Sequence, residues 1–162
     1  MRILIVSDTH RKEGNLRYLL DKMKPLDMLI HCGDAENDPD HIRQVAECPI
    51  HMVAGNCDFL SGLPVEEKFM IGGYRVWLTH GHRQFVGINN RMLLEEAKRR
   101  ECQIVMFGHT HKPFLEIART ADGITAINPG SLSAPRQEGY RPTYILMELD
   151  RQGIAHYHLN YL

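Results

Sequence analysis

The sequence is 162 residues long, 43% hydrophobic and 24% charged, with a formal net charge of -1. These values exclude an intrinsically disordered chain and lack the overall basic excess that holds nucleic-acid polymers. The length suits a single domain, 1–162, with a sizeable core, and no window approaches the roughly 18 apolar residues of a membrane span.

Residues 2–7 read as a short buried strand. The apolar stretch in MRILIVSD is too short for a signal peptide, so a reduced, cytoplasmic protein is expected. Leu16, Leu19, Leu20 and Met23 recur at i, i+3, i+4 and i+7, the stripe of an amphipathic helix that Pro25 stops. Residues 28–32 form the next strand. Asp38-Pro39 reads as an N-cap followed by proline at the first helical position, with Ile42, Val45 and Ala46 turned inward. Residues 50–54 form a third strand. This β-α-β-α-β alternation predicts parallel pairing and layers of strands and helices.

The second half changes character. Residues 68–71 and Tyr74–Thr79 flank Gly72-Gly73, a two-residue hairpin signal. A helix is expected over 89–100, with Met92, Leu93 and Ala97 inward. Strands follow at 103–107, 114–119, 124–128, Thr143–Leu149 and 154–161. The breaks at Ala121-Asp122-Gly123 and Asp150-Arg151-Gln152-Gly153 read as hairpin turns. A mostly antiparallel half after a parallel one predicts two sheets packed face to face with helices outside.

The four cysteines, Cys32, Cys48, Cys57 and Cys102, form no C-x-x-C pair and suggest neither a disulfide framework nor a zinc ribbon. Cys32 and Cys102 sit in or beside apolar runs, where free cysteine acts as a small hydrophobe.

The chemistry collects at strand ends, where α/β proteins place their sites. In order they carry Ser7-Asp8-Thr9-His10, His31-Cys32-Gly33-Asp34, Gly55-Asn56-Cys57-Asp58, Thr79-His80-Gly81-His82 and Gly108-His109-Thr110-His111. One such piece is an ordinary turn or cap; five in succession are not, because turns have no need of histidine. Asp, His and Asn together suit borderline divalent metals. On extended backbone, alternate side chains share a face, so His109 with His111, and Asp8 with His10, are expected to enter one site.

The ordered set Asp8-x-His10, Gly33-Asp34, Gly55-Asn56, His80 and Gly108-His109-x-His111 resembles the calcineurin-like metallophosphoesterases. Gly55-Asn56-Cys57-Asp58, His80-Gly81-His82 and Asn128-Pro129-Gly130-Ser131 resemble that superfamily's small phosphodiesterase branch of bacteria and archaea. The resemblance implies an α/β fold, a four-layer α-β-β-α sandwich of two mixed sheets flanked by helices. It also implies two divalent metal ions. Asp8, His10 and His111 would hold the first; Asn56, His80 and His109 the second; Asp34 would bridge them. Manganese is the expected metal, with nickel, cobalt, zinc or iron as alternatives. The implied reaction is hydrolysis of a small phosphodiester by a bridging water whose pKa falls from 15.7 towards about 7.

Other residues are assigned lesser roles. Asp58 would orient a neighbour or cap a turn. His82 would touch substrate, stand near the second metal or belong to its loop. Asn128 and Ser131 would position backbone or phosphate, and Arg136 is a candidate phosphate contact; Arg83, Arg91 and Arg141 read as surface charges. His41, His51, His156 and His158 fall outside the motif set. Cys57 stands where the wider superfamily commonly has a histidine thought to protonate the leaving oxygen, and a thiol is a weak donor. The alternatives are a protein-binding scaffold of the same fold, or a nuclease or cyclic-nucleotide phosphodiesterase. A membrane partner is not expected, a nucleic-acid polymer is disfavoured, and a homo-oligomer is left open.

Overall fold

In a computed structural model of the chain, which describes residues 1–37, 39–120 and 122–162, strand β1 (Arg2–Val6) is buried from Ile3 onward. Its alternate side chains serve two different cores, as the strand's two-residue period requires. Ile3 and Ile5 pack with Val76, Leu78, Ile104 and Met106, which belong to β5 (Tyr74–Thr79) and β6 (Ile104–Met106). Leu4 and Val6 pack instead against Leu16, Leu19 and Leu20 of helix α1 (Gly14–Met23) and Ile42 and Ala46 of α2 (Pro39–Ala46).

The same division appears in the second sheet. Val76 and Leu78 face the first sheet, while Trp77 and Val105 face Leu93 and Ala97 of α3 (Arg91–Arg99). The layers therefore run helix, sheet, sheet, helix, the four-layer α/β sandwich expected from the sequence. Strands with both faces covered must be apolar at nearly every position, which is why 2–6 and 104–106 read as continuous apolar runs.

The remaining strands are β2 (Met28–His31), β3 (Ile50–Met52), β4 (Glu66–Ile71), β7 (Pro113–Glu116), β8 (Thr125–Pro129), β9 (Thr143–Leu149) and β10 (Ala155–Tyr161). Among the described residues, one sheet has the order β10-β9-β1-β2-β3 and the other β4-β5-β6-β8-β7. In the first, β1, β2 and β3 are parallel; in the second, β5, β6 and β8 are parallel. Each sheet thus gathers the C-terminal ends of three parallel strands on one edge.

Two expectations need correction. The second half, expected to be mostly antiparallel, holds a parallel trio between the flanking strands β4 and β7, and its β9–β10 hairpin returns to the first sheet beside β1. Met92 does not face the core. It is 44% exposed, while Leu93 and Ala97 are fully buried, because α3 covers its sheet with a narrow stripe. The Gly72-Gly73 turn and the Asp150–Gly153 turn are present, the latter closed by Gly153 N–H to Asp150 O at 3.1 Å. The Asp38 cap and the first position of the 121–123 turn lie outside the described residues. Among those residues, no helix is long and apolar enough to cross a membrane.

Leu93→Ala should lower the unfolding free energy by about 3 kcal/mol, whereas Met92→Glu should change it by less than about 0.5 kcal/mol. Urea denaturation of both variants checks the corrected face of α3; equal losses would contradict it.

Candidate metal centre

The loops that follow β1, β2, β3, β5 and β6 meet where the two parallel trios face each other. Asp8 lies just past β1, and its N–H donates to Gly33 O at 3.0 Å. Its carbonyl accepts from Ser131 Oγ at 2.8 Å and Ser133 Oγ at 2.9 Å. Its Oδ2 accepts the His109 N–H at 3.2 Å, across the two sheets. Two glycines allow this closeness: a Cβ on Gly108 would stand 2.1 Å from Ser7 Oγ, and one on Gly55 would stand 2.0 Å from Asp34 Oδ1.

Asp58 ties the loops together. One oxygen accepts the backbone N–H of Asp34 (2.7 Å), Ala35 (3.3 Å) and Gly55 (2.8 Å), and the other accepts that of Glu36 (2.6 Å). The carboxylate is buried. Its role is therefore to brace the loops after β2 and β3 through four backbone amides.

Asp8, His10, Asp34 and His111 bring one ligand atom each within 4.8 Å of one another. His111 Nε2 lies 3.1 Å from Asp8 Oδ1, and His10 Nε2 lies 3.2 Å from His111 Nε2. Beside this group, His80 Nε2 lies 3.3 Å from Asp34 Oδ2. The His80 ring centroid is 5.3 Å from that of His109 and 5.5 Å from that of His82. Asp34 is the member common to both groups. Asn56 stands apart: it is exposed, with its Nδ2 3.2 Å from Cys57 Sγ.

Hydrogen bonds on the outer side of each ring decide what the inner side offers. His80 Nδ1 donates to Cys32 O and His111 Nδ1 to Ala134 O, both at 2.7 Å. His10 Nδ1 meets Glu36 Oε1 at 2.5 Å. In each neutral ring, Nε2 therefore carries a lone pair turned inward. His80 Nε2 and Asp8 Oδ1 are buried and have no hydrogen-bond partner among the described residues. Inward-facing ring nitrogens beside two carboxylates form a donor set that could hold a cation, and mixed imidazole and carboxylate donors fit a divalent transition metal.

The charges follow the same division. Burial raises the Asp34 carboxyl, but His80 and the Cys57 N–H (2.7 Å) outweigh it and hold the group well below the usual carboxylate range. Burial lowers His80 and His111, yet Asp34 and Asp8 carry the first above its ordinary value and Asp8 does so for the second. His82 and His109 are lowered by burial and by the neighbouring His80. His31 is fully buried and pushed down to about 4, chiefly by burial. It accepts the Gly33 N–H at Nδ1 and meets Thr9 Oγ1 at Nε2, 3.1 Å, so it is a neutral support beneath the loops. The Cys57 thiol is pushed up to about 12 by burial and by Asp34, Glu36 and Asp58.

Asp8 and His10 do enter one site, but not through the extended backbone expected for Asp8-x-His10 and His109-x-His111. All four residues, with Asp34, have positive φ, from 43° at His10 to 70° at His109. The segments are sharp bends, and His109 and His111 turn towards different neighbours, His80 and His10. Each left-handed residue costs about 1–2 kcal/mol, and such strain collects at functional sites. Asn128 Nδ2 holds the second bend by donating to Gly108 O at 2.8 Å and Thr110 Oγ1 at 3.0 Å. The support from Cys32 O and Ala134 O has no side-chain signal in the sequence, whereas Glu36 lies two residues past Asp34 and His31 stands in the His31-Cys32-Gly33-Asp34 strand end.

A profile of the calcineurin-like phosphoesterase superfamily domain matches residues 1–152. A relative in Mycoplasma pneumoniae, named a probable metallophosphoesterase, is 35% identical over 157 residues, covering 95% of this chain and 93% of its own. A crystal structure of a conserved protein from Streptococcus pneumoniae TIGR4, described as a predicted phosphoesterase, superposes with a TM-score of 0.79 at 27% identity, covering 98% of this chain and 97% of its own. Vacuolar protein sorting 29 of Cryptosporidium parvum shares the fold at 19% identity and a TM-score of 0.76, covering 99% of this chain and 97% of its own.

Asp58→Ala should cost about 3 kcal/mol of stability, because four buried or half-buried N–H groups lose a charged acceptor. Urea denaturation measures it; a loss under about 0.5 kcal/mol would remove Asp58 from its bracing role.

Proposed function

The chain belongs to the calcineurin-like phosphoesterase superfamily, and from that premise we propose that it is a phosphodiesterase working with two divalent cations. The coarser reading, a metal-dependent phosphoester hydrolase, follows from the family. The finer one is supported chiefly by Asp34, a carboxylate common to two groups of inward-facing donors. Asp8, His10 and His111 would hold one cation, Asn56, His80 and His109 the other, with Asp34 shared. The Asn56 side chain would have to turn from Cys57 to take part. Manganese suits this borderline donor set. Bound cations supply the charge that draws in a phosphoryl group and the Lewis acidity that makes water nucleophilic near neutral pH.

The chain's own residues prepare the site. Asp34 stays ionised, and the carbonyls of Cys32 and Ala134 fix the tautomers of His80 and His111. Burial and the neighbouring carboxylates push the Cys57 thiol up, which does not suit a nucleophile. His82 is lowered from its ordinary value by burial and by its neighbours His80 and His109, which suits a hydrogen-bond partner of the substrate. An open groove beside His109 leaves room for a second ester substituent, which a diester has and a monoester lacks. Four free cysteines suit a reducing compartment, and the reading places the protein in the cytoplasm, acting on a small diester. Use of the fold as a scaffold would leave the inward-facing donors without a purpose.

Hydrolysis of bis-p-nitrophenyl phosphate should exceed that of p-nitrophenyl phosphate, rise with added Mn²⁺ and vanish on chelation. His109→Ala should lower it at least about 100-fold. Metal-independent turnover, or full activity in the variant, would overturn the reading. Cys57→His should raise kcat by about tenfold or more on diesters with poor leaving groups, and little on nitrophenyl esters. No gain on the poor leaving groups would mean that the proton comes from elsewhere.

A further inference from the structure

We propose that the groove beside His109 binds the second substituent of the substrate, and that this substituent contains both a planar ring and a further anionic group, as a nucleotide does. The inference rests on the diester reading above and names the kind of diester.

The groove has a volume of about 550 Å³ and opens against His109 and Thr110. Val86, Phe107 and Phe114 form its apolar wall. Phe107 is buried, and Phe114 packs against it with ring centroids 6.2 Å apart while staying partly open. A half-open aromatic face is a stacking surface for a planar ring.

Lys112 and Arg136 also line the groove. Both are exposed, and neither forms an ion pair among the described residues. Several of the chain's other cations do, as Arg100 does with Glu66 and Glu96. Among the described residues no carboxylate lines this groove, so a chain of net charge -1 presents a locally positive cleft at its candidate site. Arg136 is anchored there: its N–H donates to His111 O at 3.1 Å. Asn90 supplies a polar edge, since it precedes α3 yet its side chain makes no capping bond to that helix.

A larger hollow of about 840 Å³, between α3 and the β7–β8 hairpin, lacks this character. It mixes Glu95, Glu116 and Asp122 with Lys98 and Arg119 and shares no residue with the candidate centre. The anion preference therefore belongs to the groove that touches His109.

The test is calorimetric titration of thymidine 5′-monophosphate and thymidine 3′,5′-bisphosphate into metal-loaded and chelated protein. The second phosphate should tighten binding roughly fivefold or more, and high salt should shrink that advantage. The Lys112→Ala/Arg136→Ala double variant should lose it. Equal binding of the two nucleotides by the wild type, an advantage untouched by salt, or one kept by the double variant would overturn the proposal. An intact advantage without any diester hydrolysis would sink the diesterase reading and keep the groove as an anion site. Diester turnover with no advantage would do the reverse.

Discussion

The centre depends on Asp58, a buried carboxylate whose hydrogen bonds go to backbone amides. It accepts backbone N–H groups from Asp34, Ala35, Glu36 and Gly55. Those four amides belong to two loops that would otherwise diverge after parallel strands. Charge-assisted bonds of this kind are about twice as strong as neutral ones, and a buried carboxylate is stable only when so satisfied. The carboxylate and the loops therefore hold one another, and Asp34 and Glu36 are set in place as a result.

From that brace the electrostatics follow. Asp34 receives the Cys57 N–H on one oxygen and faces His80 on the other. Asp8 is held through its carbonyl by two serines, and its side-chain Oδ1 has no hydrogen-bond partner among the described residues. His80 and His111 are raised by these carboxylates, while His82 and His109 are lowered. Negative charge is thus concentrated at the junction of the two sheets, while the free cations Lys112 and Arg136 stand at the groove outside it. A site charged inward for cations and outward for anions suits a substrate that arrives as an anion and reacts at a metal.

Much of this was legible before the structure. Two-faced burial wrote continuous apolar runs into β1 and β6, and the motifs stood in strand order because parallel strands carry their loops to one edge. The helix stripe was readable at Leu93 and Ala97 but not at Met92, since a methionine beside a leucine fits either face by composition. The bends at His10 and His109 were not readable, because periodicity describes regular backbone and these residues are left-handed. Asp58 could be singled out by its place after Gly-Asn-Cys, yet four amide partners on two loops cannot be inferred from spacing. The same holds for the carbonyls of Cys32 and Ala134, which have no side-chain signature at all.

The return of the β9–β10 hairpin to the first sheet has a consequence for how the chain reaches this state. β1 pairs with β9 across nearly the full length of the sequence, from Arg2↔Glu148 to Ile5↔Ile145. Contacts this distant close late, because the entropy of the intervening loop must be overcome first. Until residues 143–149 are available, β1 has a bare edge, and such an edge readily pairs with another chain. The serines that hold the Asp8 carbonyl lie just upstream of that strand. The first metal-facing loop is therefore secured only once residues 131–149 are in place, so competence for metal would follow that distant pairing and not precede it.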